Sequence, residues 1–221
     1  ASMSPPCEVF MEERNGYAVI RSGPLKSART TPIETGRGWK VIRSGIDHLE
    51  IRWSEDSLEL RMQHRPGRMR SEGRWIEEFP AVEKKLDTPV PVGLNTYFRW
   101  TQADRSKSLI ITLTFKAPDG SETPLSYALN AIPEWRDRKG FNFVDLGNEW
   151  PLHDSGSEYT FQRGLMADIH RAAAVPRGPL HVTAIRVSHL SYTKTDHYRR
   201  DRDHGGYVKD MAFIQAVGND G

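Results

Sequence analysis

The chain has 221 residues, of which 37% are hydrophobic, 27% charged and 10% aromatic, and its formal net charge is +2. That length suits one large domain or two small ones with ample core, and no run approaches the roughly 18 apolar residues of a membrane-spanning helix. Wholesale disorder is excluded by 6 Trp, 7 Tyr and 8 Phe, and bulk binding of nucleic acid is disfavoured by the near balance of charge. Among the cations, 22 are Arg and 9 Lys, which favours planar, bidentate recognition of carboxylate, phosphate or sulfate.

Cys7 is the single cysteine, which excludes an intrachain disulfide and a zinc site built on cysteines. No signal peptide is visible. Ala1-Ser-Met-Ser4 reads as an addition ahead of a chosen start, so residues 1–7 are expected to be added or disordered and 216–221 a tail.

The dominant period along the chain is two. Strands are predicted over 8–11, 17–21 and 39–43, and 47–63 reads as a hairpin. There Leu49, Ile51 and Trp53 alternate with Glu50 and Arg52, and Leu58, Leu60 and Met62 with Glu59 and Arg61, around a Ser54–Ser57 turn. Pro66–Pro91, rich in charge, Gly and Pro, reads as a long excursion with at most one short strand. Further strands are predicted over 95–102, 107–116, 124–130, 141–146, 180–190 and 206–215, with a turn at Pro118-Asp119-Gly120. One helix is predicted from Gln162 to Ala174, where Leu165, Ile169 and Ala172 share a face, and Pro176 and Gly178 stop it. The pattern predicts one all-β domain over 1–221, an antiparallel β-sandwich with one short helix.

Nucleotide-dependent and serine-based chemistry lose most of their support, because there is no Gly-x-Gly-x-x-Gly or Walker-type loop and no Gly-x-Ser-x-Gly elbow; His-Glu-x-x-His is absent too. No nucleotide cofactor is expected. The densest unusual stretch is His189–Tyr207, with three His, three Tyr and four cationic side chains between two strong strands. Loops on a rigid scaffold commonly carry binding groups, and Tyr192, His197, Tyr198, Arg199 and His204 could stack on a sugar ring and bond its hydroxyls. The same alternation of charge also suits a solvated hairpin loop whose ions pair with one another. Asp196, His197, Asp201, Asp203 and His204 are metal-ligand types at a spacing that matches no established pattern.

Trp135, Trp75 and Trp150 lie in polar loops, each as a lid on the core or as an exposed platform, and Trp135 is the candidate ligand contact. Trp39, Trp53 and Trp100 read as core. In Asn95–Gln102 the face of Thr96, Phe98, Trp100 and Gln102 reads as core. Tyr97, Arg99 and Thr101 occupy the other face, which is either a plain outer surface or a concave one where Tyr97 and Arg99 meet a ligand.

Ala184-Ile-Arg-Val-Ser-His189, a polar loop, and Gly205-Gly-Tyr207-Val-Lys-Asp210-Met-Ala-Phe213 together resemble the closing strands of galactose-binding-like jelly rolls. The resemblance covers about the last 40 residues. It implies a jelly-roll sandwich that serves as a carbohydrate-binding or polysaccharide-processing accessory module, and a structural calcium. The ion's ligands would be Asp210 in the final strand and Glu8 or Glu12 near the first.

Three functions remain open on the sequence. The first is a non-catalytic module, secreted or periplasmic, that binds an oligo- or polysaccharide with an anionic group. A polysaccharide lyase needs a cation, a base and an acid around a uronate, for which Arg186, His189 and Tyr192 are the right types. The third is a protein-interaction module of a larger protein. Nucleic acid is disfavoured because Asp201 and Asp203 interrupt the arginines at 199–202.

Overall fold

In the segment Leu109–Lys116, Leu109, Ile111, Leu113 and Phe115 are no more than 1% exposed, while Thr112 and Thr114 between them are half-buried. Extended backbone turns successive side chains to opposite faces, so this alternation makes one face of a layer apolar and the layer must cover it. The computed structural model describes residues 7–14, 17–24, 28–43, 49–62, 81–104, 109–128, 142–146, 158–189 and 204–216.

These residues form fourteen strands and one helix. The strands are β1 (Cys7–Arg14), β2 (Tyr17–Pro24), β3 (Ala28–Pro32), β4 (Trp39–Arg43), β5 (Leu49–Trp53), β6 (Ser57–Met62), β7 (Ala81–Val92) and β8 (Thr96–Asp104). They continue with β9 (Leu109–Lys116), β10 (Glu122–Ala128), β11 (Phe143–Asp145), β12 (Tyr159–Gly164), β13 (Leu180–His189) and β14 (His204–Ala216). The helix, α1, spans Leu165–Ala172. Strands β1 and β2 pair as a hairpin of their own. A back sheet runs β11-β10-β9-β13-β7-β4, and a front sheet runs β12-β8-β14-β6-β5 with β3 also on β14. Only β10 and β11 pair in parallel among the described strands. The described residues therefore form an all-β, antiparallel-dominated sandwich with one short helix, as expected. No helix among the described residues is long and apolar enough to cross a membrane.

One core lies between the two sheets. Its centre is Trp100, fully buried, with Phe98, Tyr127 and Phe161 ring centroids 5.2–5.3 Å away. Tyr127 belongs to the back sheet, so this stack joins the layers. At one end, Leu165 and Ile169 of α1 enter the core beside β8, β11 and β12. Eight residues make a marginal helix alone, and a buried polar clamp holds this one. Asp168 in its first turn accepts two hydrogen bonds from the Arg163 guanidinium and one from the Tyr127 hydroxyl, each 2.9 Å long. Burial, then the Asp168 charge, push the Tyr127 phenol well above its ordinary pKa, so it stays a neutral donor.

The opposite edge is tied through the loop after β3. Thr35, 2% exposed, places its hydroxyl 2.9 Å from the carbonyls of Ser54 and Glu55. Trp39 Nε1 and Lys84 Nζ both donate to the Glu34 carbonyl, at 2.9 and 3.0 Å.

Two bulges allow both long central strands to keep their apolar sides inward. In β14, Lys209 pairs with Thr101 and Ala212 with Arg99, so Asp210 and Met211 stand opposite Trp100 alone. Asp210 takes φ 51°, the left-handed conformation that Asp tolerates better than most residues. Val208, Met211 and Phe213 all reach the core as a result. In β13 the shift falls at Thr183, and Leu180, Val182, Ile185 and Val187 are all buried.

The structure corrects several expectations. The stretch read as an excursion contains all but the last residue of the twelve-residue β7, a full member of the back sheet. Its charges hid it: Glu83 faces outward to Arg186, and the register shifts across residues 86–89 opposite Thr183, where Leu86 packs against the core. Pro89 and Pro91 lie beyond the reach of β4, where β7 is an edge that tolerates a missing donor. The predicted helix begins at Leu165, because residues 162–164 finish β12. Trp53 is 42% exposed rather than core: it closes β5 at the open edge of the front sheet, where no further described strand covers it. Trp39 and Trp100 are core as read. Cys7 and Ala216, placed in the expected tails, belong to strands.

Candidate functional site

The outer face of the front sheet follows from strand register alone. Since Phe98, Trp100 and Gln102 point inward, Tyr97, Arg99, Thr101 and Ala103 of β8 point outward. On one side they stand in register with Gly164, Gln162 and Thr160 of β12; on the other, with Ile214, Ala212, Lys209 and Tyr207 of β14. Thr30 and Pro32 of β3 extend the first two rows, and Ser57 and Glu59 of β6 the last two. Arg52 of β5 pairs with Glu59. At about 3.3 Å per residue, Tyr97 to Ala103 covers roughly 20 Å, the length of a short oligosaccharide.

The rows differ in height and charge. Short side chains form the floor: the hydroxyls of Thr101 and Thr160 bond each other at 2.8 Å, and Ala212 is 4% exposed. Tyr97 and Arg99 rise at one end, half-buried, with Gln162 beside Arg99. Tyr207 and Lys209 rise at the other, and Glu158, just before β12, joins them across Ala103. Its carboxylate accepts the Tyr207 hydroxyl and the Lys209 ammonium, the latter at 2.9 Å. These two bonds, Tyr207 first, hold the Glu158 carboxyl below the usual carboxylate range. The Tyr207 phenol and the Lys209 ammonium are both raised, chiefly by their bonds to Glu158. Arg99 makes no ion pair among the described residues.

The arrangement combines two tyrosine rings, an open guanidinium, an amide and hydroxyls on one rigid surface. Rings stack on apolar faces of ligands, amide and hydroxyl groups bond ligand hydroxyls, and the guanidinium fork fits a carboxylate.

Of the residues singled out by sequence, Tyr97 and Arg99 lie together on this face. Tyr192, His197, Tyr198, Arg199 and Trp135, with Trp75 and Trp150, lie outside the described residues. His189 ends β13 and His204 opens β14. Arg186 stands on the outer face of the back sheet, its guanidinium 3.0 Å from Glu83, so it is on the other layer from Tyr97 and Arg99. Tyr207, Lys209, Glu158 and Gln162 were not nominated as contacts. Tyr159-Thr-Phe-Gln162 alternates in period two, which is the signal that marks Gln162 as outward.

The residues proposed for calcium lie on different elements. Asp210 is exposed at the bulge of the front sheet, and Glu8 belongs to the β1–β2 hairpin. Among the described residues no group of three His, Cys, Asp or Glu side chains could hold an ion.

No protein-family model matches the sequence, and no characterised protein matches it in sequence. Carbohydrate-binding modules are among the solved structures it is similar to. One is the family 11 carbohydrate-binding module of the cellulosomal cellulase Lic26A-Cel5E of Clostridium thermocellum, with TM-score 0.38 and 8% identity over 99% of this chain and 100% of that one. A family 61 module in complex with β-1,4-galactotriose gives TM-score 0.29 and 12% identity over 86% of this chain and 90% of that one. The xyloglucanase domain of NopAA, a type three effector from Sinorhizobium fredii, in complex with cellobiose, gives 0.40 and 6% over 86% and 98%.

Proposed function

We infer that the chain is a non-catalytic module that binds a polysaccharide carrying carboxylate groups, along the outer face of its front sheet. The observation that carries this reading is Arg99: a half-buried guanidinium on an interior strand, flanked by Tyr97 and Gln162, without an acidic partner among the described residues. An arginine fork takes a uronate carboxylate through two parallel hydrogen bonds. Tyr97 supplies a ring for the neighbouring pyranose, and Gln162 and Thr160 supply bonds for its hydroxyls. Such a module belongs outside the cytoplasm, attached to a protein that acts on polysaccharide.

Affinity electrophoresis through gels of hyaluronan, alginate, polygalacturonate and a neutral β-glucan tests the reading. The wild type is expected to be retarded by at least one uronate polymer. Tyr97→Ala and Arg99→Ala should each weaken that retention about tenfold, the effect of losing roughly 1.4 kcal/mol of contact. Their melting temperatures should stay near that of the wild type, since neither side chain belongs to the core. Retention that survives both substitutions would move the site elsewhere. Ultraviolet absorbance of the same mixtures reports unsaturated uronate, and its rise would make the protein a lyase.

A further inference from the structure

The cations of the front face are not equivalent. Lys209 Nζ is 2.9 Å from Glu158 and lies 5.9 Å from the centre of the Tyr207 ring, whereas Arg99 has no acidic partner among the described residues. Lys209 stands opposite Thr101, the next outward residue of β8 after Arg99. Arg99 and Lys209 are therefore diagonal neighbours, about 7–8 Å apart at the backbone. Glu158 can reach both Tyr207 and Lys209 because Ala103, between them on β8, is short.

We propose that Glu158 sets the charge density of the glycan this face accepts. By cancelling the Lys209 ammonium and fixing the Tyr207 hydroxyl, it leaves Arg99 as the one of these two cations without an acidic partner among the described residues. A polymer with carboxylates on alternate rings meets one guanidinium and neutral sugar contacts. A densely sulfated polymer finds no free cation for its next anion there, because Glu158 already holds the Lys209 ammonium. The proposal rests on the glycan-binding reading above and names the ligand class within it. Glu158 acts through Lys209 and Tyr207, so it is a positioning residue.

Glu158→Gln keeps an acceptor for Tyr207 and removes the charge. The probes are hyaluronan, with carboxylates on alternate rings, and heparin, which is densely sulfated. The wild type is expected to prefer hyaluronan. In Glu158→Gln, heparin affinity should rise about tenfold at low salt, with a salt dependence steeper by roughly one released counterion, while hyaluronan binding changes little. Adding Lys209→Met to Glu158→Gln should return heparin binding to the wild-type level, and Glu158→Asp should retain the wild-type preference. If heparin affinity and its salt dependence are unchanged in Glu158→Gln, or if the gain survives Lys209→Met, the role of Glu158 is overturned while glycan binding stands. A wild type retained by no polysaccharide overturns the glycan reading and this proposal together.

Discussion

Replacing Asp168 with alanine is expected to lower the unfolding free energy by about 3–5 kcal/mol, the usual effect of breaking a buried ion pair from one side. The Arg163 and Asp168 side chains are 16% and 5% exposed. Without the carboxylate, a guanidinium that water barely reaches loses both bonds to its counter-ion, and the buried Tyr127 hydroxyl loses its acceptor. Three elements loosen at once, because Arg163 comes from the front sheet, Tyr127 from the back sheet and Asp168 from α1. Tyr127→Phe removes only the hydroxyl and leaves the ion pair, so its expected loss is about 1 kcal/mol. Urea titrations at unchanged slope measure both. A loss below about 1 kcal/mol for Asp168→Ala, the worth of an exposed pair, would show that the clamp is solvated.

Two deletions in β14, two positions apart, should behave oppositely. Removing Asp210 takes out the extra residue of the bulge. Val208, Met211 and Phe213 still face inward, Lys209 and Ala212 still face outward, and the pairings to Thr101 and Arg99 are kept. The expected loss is no more than about 1–2 kcal/mol, within the range of ordinary substitutions. Removing Ala212 leaves no such solution. Either Phe213 turns to solvent, at about 3–5 kcal/mol if likened to truncation of a core Phe, or Asp210 turns its carboxylate into the core. Thermal melts of both proteins decide this. An Asp210 deletion as damaging as that of Ala212 would mean that the side chain does something besides fill the bulge. A fall in the wild-type melting temperature on adding a chelator would then identify that role as ion binding. Substitution at the same position gives a milder check: Asp210→Gly should be tolerated, and Asp210→Val should lose about 1–3 kcal/mol to backbone strain.

Strict alternation was the legible part of this fold. The faces of 95–102 and the strand at 109–116 follow from a period of two with apolar residues on one side, and the strand at 180–189 from its mostly buried apolar run. Where tertiary pairing absorbs charge, the signal disappears. Lys84 of β7 looks like a solvent residue, yet its ammonium bonds the carbonyls of Glu34 and Arg37, about fifty positions away in the chain. Residues 162–164 carry helix-compatible side chains and were taken into the strand by pairing with β8. The site was legible one strand at a time. Tyr97 and Arg99 stood out from their alternation, but Tyr207 meets Glu158 across 49 positions and Thr101 meets Thr160 across 59. No local pattern encodes which of two distant strands lie side by side.

Strand β14 has β8 along one edge and, along the other, first β6 and then β3, with the change of neighbour falling at Asp210. Every other described strand of the front sheet precedes it in the chain. During vectorial synthesis, β3, β5, β6, β8 and β12 therefore emerge while the strip that joins them is still unmade, and their unpaired edges are open to wrong partners. Pairing strands so far apart in the chain is expected to slow closure of the front layer. The surface that carries Arg99 and Tyr207 is complete only once β14 lies against β8.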